Sequence, residues 1–198
     1  MKLIRASVVL RASVVMMVVF AVGVGSAQTS ASTVTLHFDP AETTINWTLA
    51  DVLHTVRGTF KLSSGTVTFD EKTGAAGGEL VVETASGESG NNTRDRRMKA
   101  DVLQSTAYPE AIFHPKKITG MIREGQTQTI TVEGIFSVHG ADHPLTLHVQ
   151  VSEAGRMLTA KTSFAVPYVA WGMKDPSTFV LRVGKEVNLD IDAKATLQ

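Results

Sequence analysis

The chain has 198 residues, no cysteine and a formal net charge of 0. Without cysteine, disulfides, thiolate metal sites and thiol chemistry are excluded.

Lys2, Arg5 and Arg11 open the chain, Ala12 to Val24 is an apolar run broken by one Ser, and Gly25-Ser26-Ala27 supplies small residues. This layout predicts a secretory signal peptide over residues 1–27, cleaved after Ala27, and a periplasmic or secreted destination. A retained membrane anchor is the rival, but the run is short against the roughly 20 residues of a helical span. No Cys follows it, which excludes a lipoprotein. Cleavage removes three cations, so the charge moves from 0 to −3. A mildly acidic chain lacks the basic face that nucleic acid requires and the Lys/Arg cluster that binds anionic membranes. Residues 28–32 read as a flexible N-terminus. Residues 33–195 read as one domain, long enough to bury its own core.

Strand signals dominate the mature chain. Thr44 to Leu49 alternates strictly, with Ile45, Trp47 and Leu49 on one face. Gly65 to Asp70, Leu145 to Val151 and Val187 to Ala193 follow the same period of two, the pattern of half-buried antiparallel strands. Ser63-Ser64-Gly65, Lys72-Thr73-Gly74, Gly74 to Gly78, Arg123 to Gln126, Glu153-Ala154-Gly155 and Val183-Gly184-Lys185 read as turns. Helical signals interrupt this once, between Ser89 and Phe113. Asn92 or Thr93 is predicted to cap a helix through Arg94 to Ala100, and Asp101 a second turn over 102–104. Tyr108-Pro109 stops it. About ten strand segments follow this reading. They can bury their inner faces as a two-sheet sandwich or as a closed barrel, and pattern alone does not decide.

Candidate chemistry is sparse. His139 and His143 flank Asp142, but Gly140 and Pro144 make the segment a hairpin with solvated turn residues, and no third ligand has zinc spacing, so no metal is expected. His148 sits on the polar face of its strand; His54 and His114 are isolated. No nucleophile elbow and no phosphate-cradling glycine loop is present, so neither a catalytic residue nor a cofactor is expected. In Arg94-Asp95-Arg96-Arg97, Arg94 is a candidate anion contact, whereas Arg96 and Arg97 read as solvated. Trp47, Phe60, Phe69, Met98, Leu103, Phe113, Phe136, Phe164 and Trp171 are core in a sandwich. In a barrel of about eight strands they would line a space for one small ligand.

Several segments resemble the YceI-like family of lipid- and polyisoprenoid-binding proteins. Val56-Arg57-Gly58-Thr59-Phe60 with Gly65 to Asp70 is one. Thr93-Arg94-Asp95 with Met98, Leu103 and Tyr108 to Phe113 is another, and Val132 to Gly140 a third. The resemblance covers about residues 33–195. Many relatives show a charged R-x-D-[FW]-G stretch where this chain has Val169 to Pro176, keeping only the Trp-Gly step. The family implies a lipocalin-like antiparallel β-barrel with a short helical insert near residues 93–104. It also implies a cavity for an isoprenoid or other long-chain amphiphile. The nine apolar residues above are then cavity lining, Arg94 the candidate head-group contact, and the insert a plug or gate. A binding protein for transport or storage is expected, not an enzyme, with a homodimer left open. Two rivals remain. One is an enzyme acting on an amphiphile through His54, Arg94 and Asp95; the other is a structural or stress-related envelope barrel with a filled core.

Overall fold

The alternating pattern is realised as nine strand segments around one short helical insert. The computed structural model describes residues 33–50, 55–179 and 182–198; residues 1–32, which include the expected signal peptide, and His54 lie outside them. In chain order come β1 (Thr33–Phe38), β2 (Thr44–Ala50), β3 (Thr55–Asp70) and β4 (Ala76–Glu88). Helix α1 (Asn92–Arg97) and a π-helical turn (Met98–Val102) follow, then β5 (Glu110–Thr119), β6 (Thr127–Val138), β7 (Ala141–Ala154), β8 (Met157–Val166) and β9 (Val187–Leu197).

Each strand from β2 to β9 pairs antiparallel with the next in sequence, and β9 pairs back with β2. β1 pairs with the second half of β3 and the last residues of β9. β1 and β2 therefore occupy one wall position in succession, and nine segments make a closed barrel of eight positions. This resolves the open choice between sandwich and barrel. Closure gives every described strand a partner on both sides, although β7 and β8 pair only over Gln150–Ala154 and Met157–Lys161.

The alternation sets the inner face. Ile45 and Trp47 on β2, Val67 and Phe69 on β3, and Leu147, Val149 and Val151 on β7 are all buried. Two apolar clusters result. One, around Leu36, Phe69, Ile130, Val151 and Leu158, fills the end formed by the short β3–β4 and β7–β8 turns. The other, around Val138, Val166, Tyr168 and Met173, lies toward the insert and the β8–β9 connection.

Three sequence expectations are corrected. Ser63-Ser64-Gly65 is not a turn but lies within the 16-residue β3, where the register with β4 shifts between Leu62 and Ser64. Its glycine answers a close approach: a Cβ at Gly65 would stand 2.7 Å from Leu80 Cδ2 and 2.9 Å from Phe38 Cβ. Ala76, Gly77 and Gly78 belong to β4, so only the start of the glycine-rich run turns. The insert is continuous rather than two capped pieces. Asn91 caps it, its Oδ1 accepting from the N–H groups of Thr93 (3.1 Å) and Arg94 (3.0 Å). Asp101 caps nothing; it sits inside the π-helical turn, which ends as Leu103 N–H donates to Met98 O at 2.9 Å.

At Gly58 a Cβ would fall 2.0 Å from Glu88 O and 2.4 Å from the Trp47 ring, whereas at Gly77 the nearest atom is 3.5 Å away. Gly58→Ala is expected to lower the unfolding free energy by about 1–3 kcal/mol. Gly77→Ala should change it by less than about 0.5 kcal/mol. Denaturant midpoints followed by tryptophan fluorescence measure both.

Candidate functional site

The inward side chains do not fill the barrel. A cavity of about 1050 Å³ runs inside it, at the upper end of the size of small-molecule sites. This runs against the filled-core rival. Its wall is aliphatic and aromatic over most of its length, drawing on every strand. Inside this wall, Thr43 Oγ1 and Trp47 Nε1 are buried without a hydrogen-bond partner.

Of the sequence-predicted residues, Trp47, Phe60, Phe69 and Phe113 border the cavity from β2, β3 and β5. Phe136 and Phe164 border it from β6 and β8, their rings edge to face at 6.3 Å. Met98 and Leu103 reach it from the insert. Trp171 is placed elsewhere: it is not among the residues bordering the cavity, and its ring stacks on His143 at 3.9 Å and 6°. His139 and His143 also differ from the solvated turn residues expected. His139 does sit in a two-residue hairpin with Gly140, with φ of 52° and 76°, the mirror-image turn that suits twisted strands. Yet its ring lies 4.6 Å from Tyr108, and the Nε2 atoms of both histidines are buried without a partner. Among the described residues no three His, Asp or Glu gather as a metal site would require.

Every charged residue bordering the cavity comes from one end. Arg94, Arg97 and Asp101 come from the insert, and Lys174 and Asp175 from the connection after β8. Arg94 is partly engaged already: its Nε donates to Ser89 Oγ at 2.7 Å and its Nη2 to Ser89 O at 2.8 Å. Ser89 Oγ in turn donates to the buried Asp95. This triad fixes the start of the insert against the end of β4. The far end of the insert is held by Thr84, whose N–H donates to Pro109 O (2.9 Å) and whose Oγ1 donates to Tyr108 O (2.8 Å).

Sequence reasoning missed the second segment of this mouth, Met173 to Thr178. Its only signal was the departure from the relatives' charged stretch just before it. Tyr168 anchors the segment, its hydroxyl donating to Gly184 O at 2.7 Å. Asp175 accepts from Ser177 N–H at 2.9 Å, and Ser177 Oγ accepts from Val183 N–H at 3.0 Å. The Ser177 side chain, then its backbone, hold the Asp175 carboxyl below its ordinary pKa.

A closed antiparallel barrel with an apolar interior and a polar mouth defines a lipocalin-like binding barrel. Residues 36–195 match the YceI-like domain, and the chain belongs to the YceI-like family. It is 35% identical over 100 residues to Protein YceI of Shigella flexneri, covering 50% of each chain. The match to Protein YceI of Escherichia coli O157:H7 is 34% over the same length, so the chain spans about half of these curated relatives. Solved structures share the fold. Burkholderia cenocepacia BcnA superposes with a TM-score of 0.67 at 20% identity, over 80% of this chain and 99% of that one. A polyisoprenoid binding domain from Saccharophagus degradans gives 0.63 at 12% identity, over 82% and 98%.

Burial, and next the Asp175 carboxylate, push the Tyr168 hydroxyl from 10.0 up to about 12. Between those values the folded state keeps a proton that the unfolded chain has released. This contribution is therefore complete below pH 10 and is lost as pH rises toward 12. Tyr168→Phe is expected to be about 1 kcal/mol less stable at neutral pH. It should also lose stability less steeply across that alkaline window, as read from denaturant midpoints in a pH series.

Proposed function

We propose that this barrel binds a long-chain amphiphile of the polyisoprenoid class, with the chain in the cavity and the polar end at the mouth. The observation that carries this is the long apolar cavity whose charged groups all lie at one end. Each buried CH₂ contributes about 0.8 kcal/mol, so one five-carbon unit contributes roughly 3–4 kcal/mol. Four units amount to about 12–16 kcal/mol before ordering costs, enough for tight binding without any catalytic group. The polyisoprenoid binding domain from Saccharophagus degradans, which shares the fold, supports this class of ligand. The eight aromatic and aliphatic residues that border the cavity are the proposed contacts, with Arg94 beside the head group through its remaining guanidinium N–H groups. The insert closes over the chain through Met98 and Leu103.

The role that fits is transport or storage rather than catalysis. The polar residues of the enzyme rival are Ser89-linked in the case of Arg94 and Asp95. The leader-like N-terminus supports a periplasmic or secreted protein. No helix among the described residues is long and apolar enough to cross a membrane.

Organic extraction of the protein purified from its host, followed by mass spectrometry, should recover a prenyl-chain amphiphile. The delipidated barrel should take up long-chain prenols. Recovery of no amphiphile together with no uptake defeats the proposal. Met98→Asp and Leu103→Asp are each expected to weaken prenol retention about tenfold or more, because a carboxylate would face the apolar chain. Replacing the exposed Arg96 with Ala should leave retention near that of the parent.

A further inference from the structure

We propose that the barrel wall opens sideways through a slit between β7 and β8, and that an apolar chain enters there while the insert stays in place. The ladder between these strands runs only from Gln150–Lys161 to Ala154–Met157. Toward the mouth, Ala141–Val149 of β7 pairs with β6 alone, and Thr162–Val166 of β8 with β9 alone. Both flanks border the cavity, through Leu145, Leu147 and Val149 on one side and Thr162, Phe164 and Val166 on the other.

The sequence builds this parting. Alternate residues of a strand aim their N–H and C=O groups at opposite neighbours. His148 O accepts from Thr162 Oγ1 at 2.9 Å, so His148 faces β8. Two and four residues earlier, Thr146 and Pro144 face the same way. Proline has no N–H to donate, and its place in a sheet is on an edge. Pro144 therefore makes this side of β7 an edge. Thr146, Ser163 and Ala165 along the slit are exposed, so water can satisfy their backbone groups.

Side chains close what the backbone leaves open. Inside, the Phe164 ring reaches past β7 to meet Phe136 of β6 edge to face at 6.3 Å. At the mouth, Trp171 from the β8–β9 connection stacks on His143 of β7 at 3.9 Å and lies 6.0 Å from Phe136. This gives Trp171 a place as a latch across the slit rather than as cavity lining. Opening the slit breaks the single hydrogen bond from Thr162 to His148 and turns these rings. Lifting the insert breaks two bonds from Arg94 to Ser89 and two from Thr84 to Tyr108 and Pro109. In polar ties the slit is the weaker barrier. It also suits an amphiphile, whose chain can enter broadside while its polar end stays at the mouth, so no head group crosses the apolar interior. The inference deepens the lipid-binding reading, on which its purpose rests.

The chain has no cysteine, so an introduced pair is unique. Continuing the register from Gln150–Lys161 sets Thr146 opposite Ala165, both exposed. Thr146→Cys with Ala165→Cys, tied by a short reducible bis-thiosulfonate linker, should slow entry of the apolar fluorophore N-phenylnaphthylamine by about tenfold or more, and dithiothreitol should restore it. The matched tie between Glu133→Cys and Thr146→Cys, which face each other in the β6–β7 ladder, should leave entry at the parent rate. Trp171→Ala should speed entry by about threefold or more. It should leave the amount bound at equilibrium near that of the parent, because Trp171 does not border the cavity. Equal rates with and without the β7–β8 tie overturn the proposal, as does equal slowing by both ties. So does failure of the fluorophore to enter the parent. Entry slowed by the β7–β8 tie in protein that takes up no prenol supports the slit and sinks the lipid-binding reading separately.

Discussion

Between β2 and β9, five residue pairs from Thr44–Asp192 to Thr48–Asn188 join strands from opposite ends of the chain. Without that seam and the shorter β1–β9 pairing, the sheet has two bare edges and its inner face is open to water. With them, the backbone hydrogen bonds form a continuous hoop. The hoop matters because the interior is hollow. A close-packed core holds a fold by contact among its side chains, and an empty one of this volume forfeits many such contacts. Here the wall is kept in place by paired backbone, and side-chain packing is gathered in one cluster toward each end.

The two ends of the barrel divide the work. At the closed end the β3–β4 and β7–β8 turns are short, and Ile118 and Ile122 pack against the cluster around Leu158. At the open end the insert and the β8–β9 connection are long, while the β6–β7 hairpin is short. Ser89, Arg94 and Asp95 fasten the insert to β4, Thr84 fastens its far side, and Tyr168 ties the connection after β8 to Gly184. These are polar, local and few.

Much of the wall was legible in the sequence because the period of two is a local property. Ile45, Trp47 and Leu49 declare their shared face from spacing alone, and β7 and β9 do the same. The insert was also legible as an interruption from the capping residues Asn92 and Thr93 and the stop at Tyr108-Pro109, although the cap itself is Asn91. What was hidden depends on partners far away in sequence. Barrel rather than sandwich is decided by β9 meeting β2. Ser63-Ser64-Gly65 has the composition of a turn, yet Gly65 is there to admit Phe38 and Leu80. Trp171 has the size and apolarity of a lining residue, but its place against His143 is set by the β6–β7 hairpin. The charged mouth escaped notice because its cations lie in two segments that only the fold brings to one end.

The shared wall position of β1 and β2 has a consequence for how the barrel can be held. Thr35 N–H donates to Gln198 O at 3.3 Å, and Gln198 N–H donates to Thr35 O at 2.9 Å. Residues 33 and 198 thus leave the barrel side by side, at the end built from the Leu36 and Ala195 cluster. Anything covalently joined at either point acts as a handle on the closed end. Both chain ends of the barrel therefore lie opposite the mouth formed by the insert and the β8–β9 connection.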